Sequence, residues 1–262
     1  MHTLKEVLEK VAKKEISTAE AEKLLQLLAI DELENLAKID GNRELRKGIP
    51  EIILAEGKTT ENLIDISLKM LAKNGRVIIS RCNKKQVSAL CAAVPADAFL
   101  QKFEHATMVV IKKKGFDVKK TGGKVGILTA GTSDIPVAEE AKVIAEEMGC
   151  EVFSSFDVGV AGIHRLVQPL KELVLKDVDV IVVVAGREGA LPSVVAGMVA
   201  VPVIAVPTSN SYGFGRKGLS TLMAMLQSCS LGLAVVNIDG GVVAGAMATL
   251  IANRVAKFRN QT

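Results

Sequence analysis

The stretch Val125-Gly126-Ile127-Leu128-Thr129-Ala130-Gly131-Thr132-Ser133-Asp134-Ile135-Pro136-Val137-Ala138-Glu139-Glu140-Ala141 decides the fold. An apolar run ends in a glycine turn, passes two small hydroxyl residues and one carboxylate, and takes up a helical pattern with proline in its first turn. This is how a buried parallel strand hands over to a helix: such strands are apolar on both faces, and proline is accommodated at a helix start. The turn then carries free backbone N–H groups and the positive end of a helix dipole, a combination that favours a phosphate or a carboxylate.

The same rhythm continues to the C-terminus. Strands are expected near 124–130, 151–155, 179–185, 201–206 and 233–237, with helices near 135–148, 166–176, 190–199, 217–228 and 241–258. Alternation at this spacing implies right-handed crossovers and a doubly wound, five-stranded parallel sheet of the α/β class. Ligands of such sheets bind outside the carboxyl ends of the strands, near a switch in strand order. Upstream the pattern differs. Leu4, Val7, Leu8 and Val11 have helical spacing, and Ser17-x-x-Glu20 reads as a capping box opening a second helix. A strand at 50–55, a helix capped by Thr59 or Thr60, a strand at 76–80, a helix at 84–93 and a strand at 106–112 complete a small α+β unit. The glycine-rich segment 115–123 reads as a linker, dividing the chain into an N-terminal domain (1–120) and an α/β domain (121–262).

Composition narrows the function. Hydrophobic residues make up 49% of the chain but aromatics only 3%, so the core is aliphatic, as in sheets sandwiched between helices. Residues 1–120 carry 22 Lys and Arg against 17 Asp and Glu, and the remainder 11 against 12. The densest basic cluster, Lys112-Lys113-Lys114 with Lys119-Lys120, has no interleaved aromatics to stack bases, so nucleic acid is not an expected partner. Cys82, Cys91, Cys150 and Cys229 are far apart and lack metal-ligand spacing. No charged-then-apolar leader opens the chain and no apolar run reaches membrane-spanning length, so a cytoplasmic protein without a membrane partner is expected.

The loops after the predicted strands form one polar set: Gly131-Thr132-Ser133-Asp134, Asp157 to Arg165, Gly186-Arg187-Glu188-Gly189, Pro207-Thr208-Ser209-Asn210 and Asn237 to Gly241. Glycine lets backbone approach a ligand closely, hydroxyls grip phosphate, and arginine can grip it bidentately. Any one of these loops alone reads equally as an ordinary turn; five on one rim favour a ligand site. The first turn is not G-x-G-x-x-G, which speaks against a nicotinamide dehydrogenase. His164, between Gly162 and Arg165 in a polar loop, suits acid/base work or phosphate contact. Cys229, at a helix end in Gln227-Ser228-Cys229-Ser230, is either a nucleophile or a small buried hydrophobe.

At these residues a family resemblance emerges. Gly131-Thr-Ser-Asp134, His164-Arg165, Ala190-Leu-Pro192-Ser193 and Pro202-Val-Ile-Ala-Val-Pro207 resemble the aminoimidazole-ribotide (AIR) carboxylase superfamily, with its PurE-like, flavodoxin-like fold. Over about residues 38–250 the chain is more similar still to the LarB family, pyridinium-3,5-biscarboxylic acid mononucleotide synthases of nickel-pincer cofactor assembly. That match adds Asp40-x-x-Arg43-x-x-Arg46-x-Gly48-x-Pro50-Glu51, Gly57-Lys58-Thr59, Asp157 to Arg165, Glu188-Gly-Ala-Leu-Pro192, Tyr212-Gly213, Ser228-Cys229 and Val236-Asn-Ile-Asp239. Two departures are Arg187, where the family commonly has methionine, and Gly240-Gly241-Val-Val in place of Asn-Gly-Phe-Gly.

The resemblance implies carboxylation of the pyridinium ring of nicotinic acid adenine dinucleotide by CO2 or bicarbonate, followed by phosphoanhydride cleavage that releases AMP. Cys229 is the implied nucleophile, and Asp134 and Glu188 are the candidates for removing the ring proton. Gly131, Thr132, Ser133, His164, Arg165, Thr208 and Ser209 are the candidates for holding the mononucleotide phosphate; Arg43, Arg46 and Lys58 would hold the adenylate half or the ring carboxylate. No prosthetic group is implied. Mg2+ would assist anhydride cleavage, though no ligand cluster marks its site, and relatives of the fold assemble into tetramers or octamers. The small-residue helix 240–252 would allow close packing between subunits. Two rival readings are an AIR carboxylase or mutase of purine synthesis and a non-catalytic nucleotide-binding regulator.

Overall fold

A five-stranded, all-parallel sheet organises the C-terminal half of the computed structural model, which describes residues 4–31, 47–103, 105–211 and 213–259. Its strands are β5 (Lys124–Thr129), β6 (Glu151–Ser155), β7 (Val180–Ala185), β8 (Val203–Pro207) and β9 (Leu233–Val235), in the order β6-β5-β7-β8-β9. β7, the run Val-Ile-Val-Val-Val-Ala, is buried along its whole length, as a central parallel strand must be. The order reverses between β5 and β7, and that switch point opens a crevice at the carboxyl rim.

The N-terminal half builds its own sheet from β1 (Ile52–Leu54), β2 (Arg76–Ser80), β3 (Ala98–Lys102) and β4 (Val109–Lys113), in the order β1-β2-β4-β3. β1 pairs parallel with β2, and the other two pairings are antiparallel. Helices α1 (Leu4–Ala12) and α2 (Thr18–Asp31) precede it, and the Ser17–Glu20 capping box is formed, with the Glu20 N–H donating to Ser17 Oγ at 3.2 Å and the Ser17 N–H to the Glu20 carboxylate at 2.8 Å. α3 (Thr60–Asn74) is capped by Thr59, and α4 (Lys84–Ala93) by a second box, Asn83 with Gln86. The sequence reading missed β3, an edge strand whose Phe99 is half exposed, and began β4 three residues early.

Among the described residues, five α-helices flank the parallel sheet's connections, α5 (Ile135–Glu147), α6 (His164–Leu175), α7 (Ala190–Ala196), α8 (Leu219–Leu226) and α9 (Gly241–Arg259), with three 3-10 turns at Thr132–Asp134, Val160–Gly162 and Gly213–Gly218. The packing is layered. α3 and α4 cover one face of the four-stranded sheet, through Leu63, Met70 and Leu90 against Val77, Ile79 and Ile111. Its other face, through Ile78, Met108 and Val110, packs on Val143, Ile144 and Met148 of α5 and its end, with Val242 and Ala246 of α9. The opposite sides of α5 and α9 present Ala138, Ala141, Ala145, Ala244, Ala248 and Ala252 to the parallel sheet. α6, α7 and α8 cover that sheet's far face. The result is five layers, helix–sheet–helix–sheet–helix, with α5 and α9 shared by both sheets.

That sharing corrects the expectation that the small residues of 240–252 pack between subunits. They pack within the chain: a Cβ on Gly245 would stand 2.6 Å from the Ala141 carbonyl oxygen, and one on Gly241 would strike the Val137 carbonyl. The stripe is what lets α9 lie against α5 closely enough for both to fit between two sheets. The contact is further fixed by a buried charge cluster, in which the Arg76 guanidinium and the Lys112 ammonium (2.6 Å) meet the Glu147 carboxylate from the neighbouring sheet. Beside it, a cleft of about 450 Å3 between the layers is lined by Glu56, Arg81, Asn83, Glu140 and Asp239.

Candidate active site

A cavity of about 710 Å3 opens at the switch point, with the residues after β5 on one side and those after β7 on the other. Two turns border it. The 3-10 turn Thr132–Asp134 leads into α5, and the turn Val160–Gly162 leads into α6, so two helix amino ends converge on the space. Gly131 and Ser133 line it from the first turn; Gly159, Val160, Ala161 and Arg165 line it from the second. Arg165 is held by Asp157 at 2.6 Å, and both side chains are nearly half exposed. A pair this wet adds little stability; its consequence is to aim the guanidinium.

The two candidate carboxylates have different surroundings. Asp134 is 3% exposed and accepts from the Gly131 N–H at 3.0 Å and the Thr208 hydroxyl at 2.8 Å, with the Gly186 N–H and Asn210 amide also directed at it. Burial pushes its pKa up, and these donors pull it partly back. Asp134 therefore ties together the loops after β5, β7 and β8. Gly186 permits that junction, since a Cβ there would lie 2.7 Å from Thr208 Oγ1. Glu188, in contrast, is exposed at the cavity wall, and its carboxylate has no hydrogen-bond or ion-pair partner among the described residues. A carboxylate that already serves four donors is poorly placed to take a proton from a substrate. One with no partner is well placed.

Of the residues expected at the site, Gly131, Ser133, Asp134, Arg165 and Glu188 line one cavity, and Thr208 supports it through Asp134. Thr132 and His164 are exposed beside it without lining it. The Ser209 N–H is turned to Asp239 Oδ1 at 2.9 Å. Lys58 is exposed after β1, at the rim of the other sheet, and Arg43 and Arg46 lie outside the described residues. Cys229 is exposed on the connection from α8 to β9 and does not line its own chain's cavity. Its neighbours are anchored to α7: Ser228 Oγ lies 2.8 Å from Ser193 Oγ, and the Ser230 hydroxyl donates to the Ser193 carbonyl at 2.7 Å. Cys82 and Cys150 are buried, and burial pushes each thiol up to about 11, which leaves them inert.

Phe214, Gly215 and Ser220 line the cavity without having been singled out in the sequence, whereas Arg187 and Asn210 belong to loops that were, though neither was given a role. Asn210 stands in a loop already singled out, where its amide donates to the Ser133 carbonyl at 2.6 Å and closes the rim. Phe214 is 94% exposed at the mouth, and its signal was a glycine-flanked aromatic in a chain with few aromatics. Among the described residues, no three His, Cys, Asp or Glu side chains converge to hold a metal ion. No helix among them is long and apolar enough to cross a membrane.

Comparison with known proteins follows the layers. Residues 30–113 match the LarB/PurE-like N-terminal domain, and residues 124–261 match the AIR carboxylase domain. An uncharacterized protein of Methanocaldococcus jannaschii is 47% identical over 245 residues, 93% of this chain and 94% of that one. The N5-carboxyaminoimidazole ribonucleotide mutase of the same organism is 36% identical over 124 residues, covering 47% of this chain and 74% of the mutase. The corresponding mutase of Pyrococcus abyssi is 31% identical over 130 residues, 48% and 71% of the two chains. With a switch-point cavity built from the Gly-Thr-Ser-Asp turn and a second sheet of the matching N-terminal type, the chain belongs to the LarB family, a PurE-like branch of the AIR carboxylase superfamily.

Proposed function

We propose that the cavity carboxylates the pyridinium ring of nicotinic acid adenine dinucleotide and that the protein then cleaves the phosphoanhydride to release AMP. The observation that carries this reading is a carboxylate, Glu188, that has no partner among the described residues and lines the same cavity as two helix amino ends and Arg165. Those ends and the guanidinium suit a nucleotide phosphate. The carboxylate suits removal of a proton from a ring held there. A pyridinium ring is electron-poor and cannot attack CO2 by itself. Thiolate addition at ring C4 moves the electron pair to C5, which bonds to the CO2 carbon. Glu188 takes the C5 proton, and the C4–S bond breaks to return the thiolate and restore the aromatic ring. Water attacking the phosphoanhydride then yields AMP and the biscarboxylated mononucleotide.

The thiolate in this scheme is that of Cys229, and it comes from a second copy of the chain. The sulfur is exposed and stands outside its own cavity. The helix before it and the residue just beyond it leave apolar side chains exposed, Leu219, Met223 and Leu226 along α8 and Leu231 after Cys229, and Phe214 is exposed at the cavity mouth. Exposed apolar surface of this kind marks association. A homo-oligomer that buries it brings the α8–β9 connection of one copy toward the mouth of another.

Incubating the full chain with nicotinic acid adenine dinucleotide and isotopically labelled bicarbonate tests the reading. Labelled pyridinium biscarboxylate mononucleotide and AMP, seen by mass spectrometry, are expected; their absence contradicts it. A second reading, mutase chemistry on a carboxyaminoimidazole ribonucleotide, draws on the 36% identity of the C-terminal half to such a mutase. Conversion of that ribonucleotide, with no product from the dinucleotide, selects it.

A further inference from the structure

We infer that the buried hydroxyl pair of Ser211 and Thr221 positions Glu188, the base of the proposed carboxylation, by locking the backbone of the turn that carries it. The inference rests on the dinucleotide reading given above. Glu188 is exposed and its carboxylate has no partner among the described residues, so among them its own backbone is what fixes where the carboxylate stands. That backbone is a four-residue turn after the central strand β7. The Gly189 N–H closes it by donating to the Gly186 carbonyl at 3.0 Å, with Arg187 and Glu188 at its centre. Arg187 takes a left-handed φ of 54° and Gly189 one of 68°. A left-handed first central residue belongs to the mirror-image turns, whose usual occupants there are glycine, asparagine and aspartate. With arginine in that place, the conformation has to be held by its surroundings.

Ser211, from the loop after β8, and Thr221, from the first turn of α8, hold it as a closed circuit. The Arg187 N–H donates to Ser211 Oγ at 2.8 Å, and the Thr221 hydroxyl donates to the Arg187 carbonyl at 2.5 Å. Each hydroxyl has one proton, and that of Thr221 is already given to the carbonyl. The 3.0 Å bond between the two oxygens is therefore donated by Ser211. The circuit leaves the Arg187 N–H and returns to the Arg187 carbonyl with every proton used once. Ser211 is 7% exposed and Thr221 fully buried, so water does not replace a bond that is lost. Carbon packing completes the seat: a Cβ on Gly189 would stand 3.0 Å from the Thr221 methyl and 3.2 Å from Met225, so the turn lies flush on α8. The reason to hold a turn this firmly is the residue it carries. Proton transfer needs hydrogen-bond reach, about 2.6–3.2 Å, and a misplacement of about 1 Å costs on the order of 10²-fold in rate.

The test compares kcat, KM and calorimetric Kd for nicotinic acid adenine dinucleotide, with labelled bicarbonate as co-substrate, among wild type, Thr221→Val, Thr221→Ser and Ser211→Ala. Valine keeps the shape of threonine and breaks the circuit at two bonds. Thr221→Val should lower kcat by about 10- to 100-fold, with KM and Kd within threefold of wild type. Thr221→Ser keeps the hydroxyl and should recover most of the rate. In a Glu188→Gln background Thr221→Val should cost less than a further twofold, because the group it positions is already gone. If the valine variant does not fold, Ser211→Ala, which leaves the Thr221 bond to the carbonyl in place, takes its part in both backgrounds. A kcat within twofold of wild type, a serine variant as slow as the valine one, or the same fractional loss with and without Glu188 overturns the positioning role while leaving the dinucleotide reading intact. A wild-type protein that yields no product from the dinucleotide overturns both.

Discussion

Each of the two sheets ends a strand in an arginine with a left-handed backbone, Arg81 after β2 and Arg187 after β7, and the two are used differently. Arg81 is consumed by structure: its guanidinium donates to Glu56 at 3.2 Å and to the Asp239 carbonyl at 3.2 Å, joining the two sheets across the interlayer cleft. Arg187 is pinned through its backbone, and the residue lines the switch-point cavity. The carboxylates divide the same way. Glu147 and Glu140 are buried between the layers, and Asp134 ties loops, whereas Glu188 has no partner among the described residues. The four-stranded sheet thus spends its charges on cohesion, and the parallel sheet leaves its charges at one crevice for a ligand.

The sharpest way to break that division is at its extremes. Glu188→Gln should lower carboxylation by roughly 10² to 10⁴-fold, the usual weight of general acid–base catalysis, without changing the melting temperature. Loss of stability with activity retained would reverse the roles assigned to the two regions. Glu147→Ala should do the opposite. It leaves Arg76 and Lys112 buried beside an empty carboxylate site, at a cost of about 3–5 kcal/mol; chemical denaturation checks this, and a cost below about 1 kcal/mol would mean that the layers are held by apolar contact alone.

Glu140 sharpens the comparison through pH. It is 7% exposed, faces Arg81 and Asp239 across the cleft and accepts from the Val242 N–H, and burial raises its pKa from 4.5 to about 7. Between those values the folded chain holds a proton that the unfolded chain has released, so stability falls as pH rises through the window from 4.5 to 7. Glu140→Gln, neutral throughout, should therefore be more stable than wild type by about 1–3 kcal/mol at pH 8, on the scale of 1.36 kcal/mol per pKa unit, and equal to it near pH 4. Equal stabilities at both pH values would contradict the assignment. The smallest effect belongs to Arg81→Ala: its ion pair with Glu56 is 42% and 66% exposed, so a loss of about 0–1 kcal/mol is expected in urea titrations.

How much of this was legible in the sequence follows from which forces are local. Val180–Ala185 reads as a buried parallel strand because both its faces must be apolar, and Thr59 and Ser17 mark helix starts because their hydroxyls meet nearby N–H groups. The Gly-Thr-Ser-Asp turn and Arg165 announced the rim for the same reason. What was not legible depends on distant partners. That Ala138 and Ala248 face one sheet while Val143 and Val242 face another cannot be seen from the pattern of either helix alone. Asp134 and Glu188 looked equivalent as bases until Thr208 and Gly186, far along the chain, closed on the first and no described residue closed on the second. Cys229 was assigned as nucleophile from the family resemblance, which says nothing about which chain's cavity the sulfur would reach.

Mixing two inactive variants settles that last point. Cys229→Ala lacks the sulfur and Glu188→Gln lacks the base, so co-assembled oligomers of the two contain cavities in which an intact Glu188 meets an intact Cys229 only if these come from different chains. Labelled bicarbonate should enter the pyridinium product when the variants are co-assembled and not when each is assayed alone. Two variants that are each inactive, and remain inactive together in a verified mixed oligomer, would contradict a shared site.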